Sequence, residues 1–205
     1  MAKSSKVMRG NALWAKLFEP DTKFDANGVY SISLVLPEVD ASEMCEYLDG
    51  LVEAKFDEEV KGKPALKNQL SKNPPYATVY DRETGDATGE IEFKFKLKAK
   101  VNTRDGRTFE QKVAVVDAKR HPVNSEISVG NGSVCKVAFE PMPYMVAGTK
   151  MVGVSLRLKA VQIIDLVEYG SPAVSVFDEE DGFSRQNMSS SSEPVTAEVF
   201  TDGDF

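Results

Sequence analysis

Histidine and tryptophan each occur once in 205 residues, and cysteine twice. His121 with Cys45 and Cys135 cannot complete a four-ligand zinc set, so no metal site built on sulfur and imidazole is expected. The two cysteines lie far apart without the paired spacing of a disulfide framework, which fits buried, reduced thiols. Catalysis meets the same shortage. A Cys/His pair using His121 has no nucleophile elbow, phosphate loop or paired-carboxylate signature beside it, so we expect no catalytic residue, no cofactor and no enzyme. A metal site built from acids alone is unsupported but not removed by counting. Long apolar runs are missing too. The opening Met1-Ala2-Lys3-Ser4-Ser5-Lys6 leads into no signal-peptide core and no stretch could span a bilayer, which predicts an intracellular protein with no membrane role.

Charge is abundant but unevenly placed. From Asp165 onward ten acids (Asp165, Glu168, Asp178, Glu179, Glu180, Asp181, Glu193, Glu198, Asp202 and Asp204) oppose one base, Arg185, although the whole chain carries only minus seven. The preceding 164 residues are therefore mildly basic, at plus two. The stretch Glu38–Val60 alone holds nine acids against Lys55, and without it the rest of this body stands at plus ten. Segregating acid into one element and a tail is what a positive groove requires.

Hydrophobic periodicity outlines the fold. Val29 to Leu36 alternates and stops at Pro37, as a strand does. Ala41 to Val60 repeats Met44, Leu48, Leu51, Val52, Phe56 and Val60 at helical spacing, with Asp40 as the expected cap and Glu43 three residues later. Lys61 to Pro75, with Pro64, Pro74 and Pro75, reads as a loop. Strands are then expected at Ala77–Tyr80, Ile91–Asn102, Arg107–Val116, Ser133–Met142 and Lys150–Glu168. Asp105-Gly106 between two alternating runs is the strongest hairpin signal. This pattern predicts a mainly β protein, a five-stranded barrel of OB type with one inserted α-helix, and a sandwich is the alternative. Residues 1–170 form the expected domain. Residues 171–205, with Asp178-Glu179-Glu180-Asp181 and four serines from Ser189, are too charged and too poor in bulky residues to offset ordering entropy and form the expected flexible tail.

The candidate site is the run Glu90-Ile91-Glu92-Phe93-Lys94-Phe95-Lys96-Leu97-Lys98-Ala99-Lys100-Val101. Strand alternation puts Lys94, Lys96, Lys98 and Lys100 on one side, roughly 7 Å apart, while Phe93, Phe95, Leu97 and Val101 turn inward. An isolated ladder of this kind is more often a solvated outer face. Here Arg104, Arg107, Lys112 and Arg157 add charge in the neighbouring segments, with Lys119, Arg120 and Lys159 close by, and the phosphates of single-stranded nucleic acid repeat at a similar spacing. Tyr76, Tyr80, Phe109, Tyr144 and Trp14 are available for stacking, with Tyr80 and Tyr144 favoured because turn and proline neighbours should expose them. A stacked base contributes roughly 1–3 kcal/mol with little sequence preference.

The tail ends on alternating acids and an aromatic, Asp202-Gly203-Asp204-Phe205. A flexible tether of about 35 residues reaches roughly 30–35 Å, enough to return to a groove on its own domain and imitate DNA.

The residues Phe93-Lys94-Phe95-Lys96, Val115-Val116-Asp117-Ala118-Lys119, Pro143-Tyr144 followed by Gly148, Ile164 to Gly170 and the terminal Asp-Gly-Asp-Phe together resemble the replication single-stranded DNA-binding proteins of podophages of the coliphage type. That resemblance implies an OB-fold with an inserted helix, a homodimer, no cofactor, and work in the cytoplasm of an infected bacterial host. It implies that Lys94, Lys96 and Tyr144 contact single-stranded DNA. It also implies that Asp202, Asp204 and Phe205 dock the phage DNA polymerase and helicase-primase while competing with DNA, and that complementary strands are annealed. The serine run here stands where the family's tail is more densely acidic. A virion structural protein or acidic adaptor, and an acid-site nuclease, are the rival readings of the same residues. If about six phosphates are neutralised, affinity should fall roughly 300-fold between 50 and 200 mM salt.

Overall fold

Period-two patterning is realised as long strands. The computed structural model describes residues 5–103, 105–125 and 127–168. In chain order these form β1 (Lys6–Asp21), β2 (Val29–Pro37), α1 (Glu38–Val60), a 3-10 turn (Pro64–Leu66), β3 (Ser71–Asn73), β4 (Tyr76–Tyr80), β5 (Ala87–Lys98), β6 (Lys100–Asn102), β7 (Thr108–Glu110), β8 (Ala114–Val116), β9 (Val134–Val146) and β10 (Met151–Asp165).

Five of the strands close on themselves. β1 pairs antiparallel with β2 and β9, β2 with β5, and β9 with β10. A short parallel seam completes the circuit, with Leu156 beside Phe95 and Arg157 beside Lys96. This is the expected OB-type barrel, and the seam excludes the sandwich because it joins the five strands into one closed circuit rather than two facing sheets. The helix is inserted between the second and third barrel strands.

The barrel closes because one side of every strand is apolar. Ile32, Leu34, Phe93, Phe95, Val137, Phe139, Leu158 and Val161 are fully buried, and each such side chain contributes roughly 1.5–3 kcal/mol on leaving water. Phe95 and Phe139 meet with ring centroids 5.0 Å apart. Cys135 lies in this core, and burial pushes its thiol up to about 11. Half-buried Cys45 on α1 is also raised, first by burial and then by the charge of Asp49. Both cysteines are free thiols.

The helix begins three residues earlier than its pattern predicts. Glu38 follows Pro37 directly with no side-chain cap, and Asp40 falls inside the first turn with Glu38. Acids there complement the positive end of the helix dipole, which replaces a capping hydrogen bond. Ala41, Leu48, Val52 and Phe56 form the buried face, packed against β2, β5, β9 and β10.

Three expected elements differ in extent. The loop after α1 contains the 3-10 turn and β3, which runs parallel to β10 with Asn73 opposite Gly153. The strand expected over Arg107–Val116 is two short strands, β7 and β8. The strand expected over Ile91–Asn102 breaks at Ala99, whose N–H donates to the Gly28 carbonyl at 2.8 Å while its own carbonyl accepts the Gln111 N–H at 2.7 Å. That exchange of partners turns the chain out of the barrel into the β6–β7 hairpin. Asp105-Gly106 makes its turn as expected, with Gly106 at φ +79° and Thr103 and Arg107 bonded across it at 2.8 Å.

β9 outruns its other neighbour. β1 pairs with it only as far as Phe139, and Pro141 and Pro143 follow, opposite Leu156 and Val154 of β10. Proline cannot donate to a second neighbour, so along Pro141 and Pro143 β9 keeps only β10, and this β9–β10 arm carries β3 along the other edge of β10.

Candidate nucleic-acid interface

The arm, the β6–β7 hairpin and β5 enclose an open groove of about 1010 Å³. Val29, Leu97, Val101, Phe109, Met142, Tyr144, Val154 and Leu156 give it apolar and aromatic walls, while Lys94, Lys96, Lys98 and Arg157 bring four cations to it. Among the described residues Glu110 is the one acid that lines it.

The cations are not equivalent. Lys98 holds Asp25 at 3.4 Å and Lys94 lies 3.9 Å from Glu92. Arg157 donates to the Gln111 side-chain oxygen at 2.6 Å, a neutral partner. Lys96 has no ion pair among the described residues, and it stands directly opposite Arg157 on the parallel seam. Like charges at opposed strand positions destabilise a sheet. A fold that keeps such a pair beside an apolar groove has placed positive potential there, and violations of a local rule of this kind concentrate at functional sites.

Tyr144 is held by what lies beneath it. Gly153 is its partner on β10, and a β-carbon at that glycine would come within 2.7 Å of the Tyr144 hydroxyl and 2.8 Å of the Asn73 carbonyl. The phenol therefore lies across the bare backbone of β10, and Asn73 Nδ2 donates to its oxygen at 2.9 Å. Gly153 and Asn73 thus fix the ring against the groove wall.

Of the ten residues predicted to contact DNA, the groove gathers Lys94, Lys96, Lys98, Tyr144 and Arg157. Lys100 is exposed but lies beyond the break at Ala99, on the other sheet, 3.7 Å from Glu110; the expected line of four lysines is a line of three. Arg107 is exposed at the hairpin turn, 3.5 Å from Asp105. Lys112 is exposed between β7 and β8, and Tyr80 is exposed at the end of β4; neither lines the groove. Lys159 sits at a register shift of β10, 3.9 Å from Glu140, and does not line the groove. Arg104, Asp202, Asp204 and Phe205 lie outside the described residues, as does the tail expected to be flexible. Tyr76 packs on Phe93 with its hydroxyl on Asp49 at 2.8 Å, and Trp14 is exposed at a bulge of β1, away from the groove. Asn73, Gln111, Met142 and Gly153 were missed. Only the glycine carried a signal, since a lone Gly inside the alternating run Met151-Val152-Gly153-Val154 marks a close approach of something else to the backbone.

Among the described residues no group of three or more His, Cys, Asp or Glu is placed to hold a metal ion, and no helix is long and apolar enough to cross a membrane.

A family model, described as the single-stranded DNA-binding protein of bacteriophage T7, matches residues 11–166. The chain belongs to this family. The family is one of DNA-binding proteins rather than enzymes. The single-stranded DNA-binding protein of Escherichia phage T7 is 25% identical over 191 residues, covering 86% of this chain and 80% of that protein. Its counterpart in Enterobacteria phage T3 is 27% identical over 155 residues, covering 70% of this chain and 64% of that protein. Among solved structures, T7 gp2.5 superposes with a TM-score of 0.65 at 24% identity, over 88% of this chain and 99% of that one. The single-stranded DNA-binding protein of bacteriophage Enc34, in complex with ssDNA, gives 0.51 at 14% identity, over 80% and 89%. These structural likenesses bear out the barrel fold.

Proposed function

We propose that the protein is a sequence-independent single-stranded DNA-binding protein of a phage replisome, working in the cytoplasm of the infected bacterium. Phosphates lie along Lys94, Lys96, Lys98 and Arg157, and bases turn inward onto Tyr144, Phe109 and the apolar wall. The observation that carries this reading is the opposed pair Lys96 and Arg157 beside that wall. The amides that line the groove, Asn73 and Gln111, are engaged by Tyr144 and Arg157, which suits stacking and charge rather than sequence readout.

The finer parts of the reading rest on charge and on family membership. The tail, with Asp202, Asp204 and Phe205, docks the phage DNA polymerase and helicase-primase and competes with DNA for the groove. The protein acts as a homodimer and promotes annealing of complementary strands.

Binding of the full chain to an oligothymidylate across a salt series tests the core of the proposal. Among the described residues the groove offers four cations rather than six, so the expected fall between 50 and 200 mM salt is about 50-fold, from a slope of about 0.7 per phosphate. The double variant Lys94→Glu, Lys96→Glu should lose binding while keeping its melting temperature. A response flat in salt, or a double variant that binds like wild type, overturns it.

A further inference from the structure

The groove does not end at Lys98. The β1–β2 turn, residues 22–28, is fastened to that end of it: the Ala99 N–H donates to the Gly28 carbonyl at 2.8 Å, Asp25 meets Lys98 at 3.4 Å, and Val29 lines the groove itself. The turn carries Phe24, which is 90% exposed, the most exposed large apolar side chain among the described residues. A phenyl ring left almost wholly in water contributes little burial energy to the fold.

The turn around it is built rather than loose. The Asp25 carboxylate accepts the Asn27 backbone N–H at 3.0 Å and its side-chain amide at 3.1 Å, and the Gly28 N–H returns to the Asp25 carbonyl at 2.8 Å. The Asp21 carboxylate accepts the Lys23 N–H at 2.8 Å. The Lys23 ammonium stands 5.5 Å from the centre of the Phe24 ring. An aromatic plane beside a cation, on an anchored turn next to a phosphate-binding lysine, is the pairing that single-stranded nucleic acid meets: a base on the ring and its phosphate on the ammonium.

We infer that Phe24 and Lys23 form a further nucleotide subsite, taking a base and its phosphate as the strand leaves the groove past Lys98. The inference deepens the proposed function and rests on it. It makes the binding track longer than the groove, so affinity for wild type keeps rising with oligonucleotide length after the groove is filled, and Phe24 is responsible for the last step.

Oligothymidylates of increasing length, titrated against the full chain, its Phe24→Ala variant and its Phe24→Tyr variant, read this directly. Short strands should bind wild type and Phe24→Ala alike. Longer strands should bind Phe24→Ala at least fivefold more weakly than wild type, and Phe24→Tyr should restore the difference because the ring is kept. Phe24→Trp in a Trp14→Phe background should show fluorescence quenched by long strands and not by short ones. If Phe24→Ala follows wild type at every length, the inference is overturned while the groove stands. If wild type itself binds no single strand, the proposed function is overturned instead. A Phe24→Ala defect equal at all lengths would place the turn in the structure of the groove rather than on the strand's path, and it too overturns the inference.

Discussion

Lys98 and Asp25, 3.4 Å apart, set the residue-scale economy of the groove. Asp25 is held below the usual carboxylate range chiefly by the Asn27 backbone N–H, then by the Asn27 side chain, with Lys98 adding to it. It therefore stays ionised through the neutral range and must be displaced whenever a phosphate takes Lys98. Asp25→Asn removes that competitor while keeping an acceptor for the turn, so single-strand affinity should rise a few-fold in a low-salt titration; unchanged affinity would mean that Lys98 does not meet phosphate. Gly153 works in the opposite sense. Gly153→Ala forces a methyl into the space occupied by the Tyr144 phenol and should cost most of the roughly 1–3 kcal/mol that one stacked base supplies. In a double-mutant cycle, Tyr144→Ala should add little once Gly153→Ala is present, because both remove the same placed ring. Full additivity would separate the glycine from the tyrosine.

Among the elements, the β6–β7 hairpin is the one whose job can be separated from folding. It forms its own two-stranded sheet and brings Val101 and Phe109 to the groove. Gly106 sits at φ +79° with open space around it, so Gly106→Val strains only the backbone, by about 1 kcal/mol or more. The expected outcome is weaker DNA binding with a melting temperature close to wild type; a melting loss as large as that of a core truncation would tie the hairpin to the barrel instead. This element also shows what a one-dimensional pattern conveys. Asp105-Gly106 announced the turn, and alternation announced β2, β5, β9 and β10, because each buries one side and exposes the other. The break at Ala99 was invisible, since it arises from hydrogen bonds to Gly28 and Gln111, residues 71 and 12 positions away in the chain. Lys100 was lost from the lysine line for that reason alone. Arg157 was legible as a base, but its place opposite Lys96 depends on a parallel seam that no local signal encodes.

On the scale of the whole molecule, the proposed competition between tail and groove is what charge can test. Removing Asp178–Phe205 takes away eight acids and one base, a net minus seven, and leaves a chain of formal charge zero. If the tail competes for the groove, its deletion raises DNA affinity most at low salt, where the charges act over tens of ångströms, and the two proteins converge as the screening length shrinks to about 3 Å near 1 M salt. The salt slope discriminates further. For the truncated chain it should approach that of the four groove cations, about 2.8. For the full chain it should be shallower, because the same salt that weakens DNA binding also weakens the tail's hold on Lys94, Lys96, Lys98 and Arg157. A synthetic peptide of residues 178–205, added to the truncated protein, should restore the weaker binding, and replacing its Phe205 with Ala should blunt that effect if the aromatic uses the wall around Tyr144 and Phe109. Parallel slopes in the two proteins, with equal affinities throughout, would show that the tail never occupies the groove.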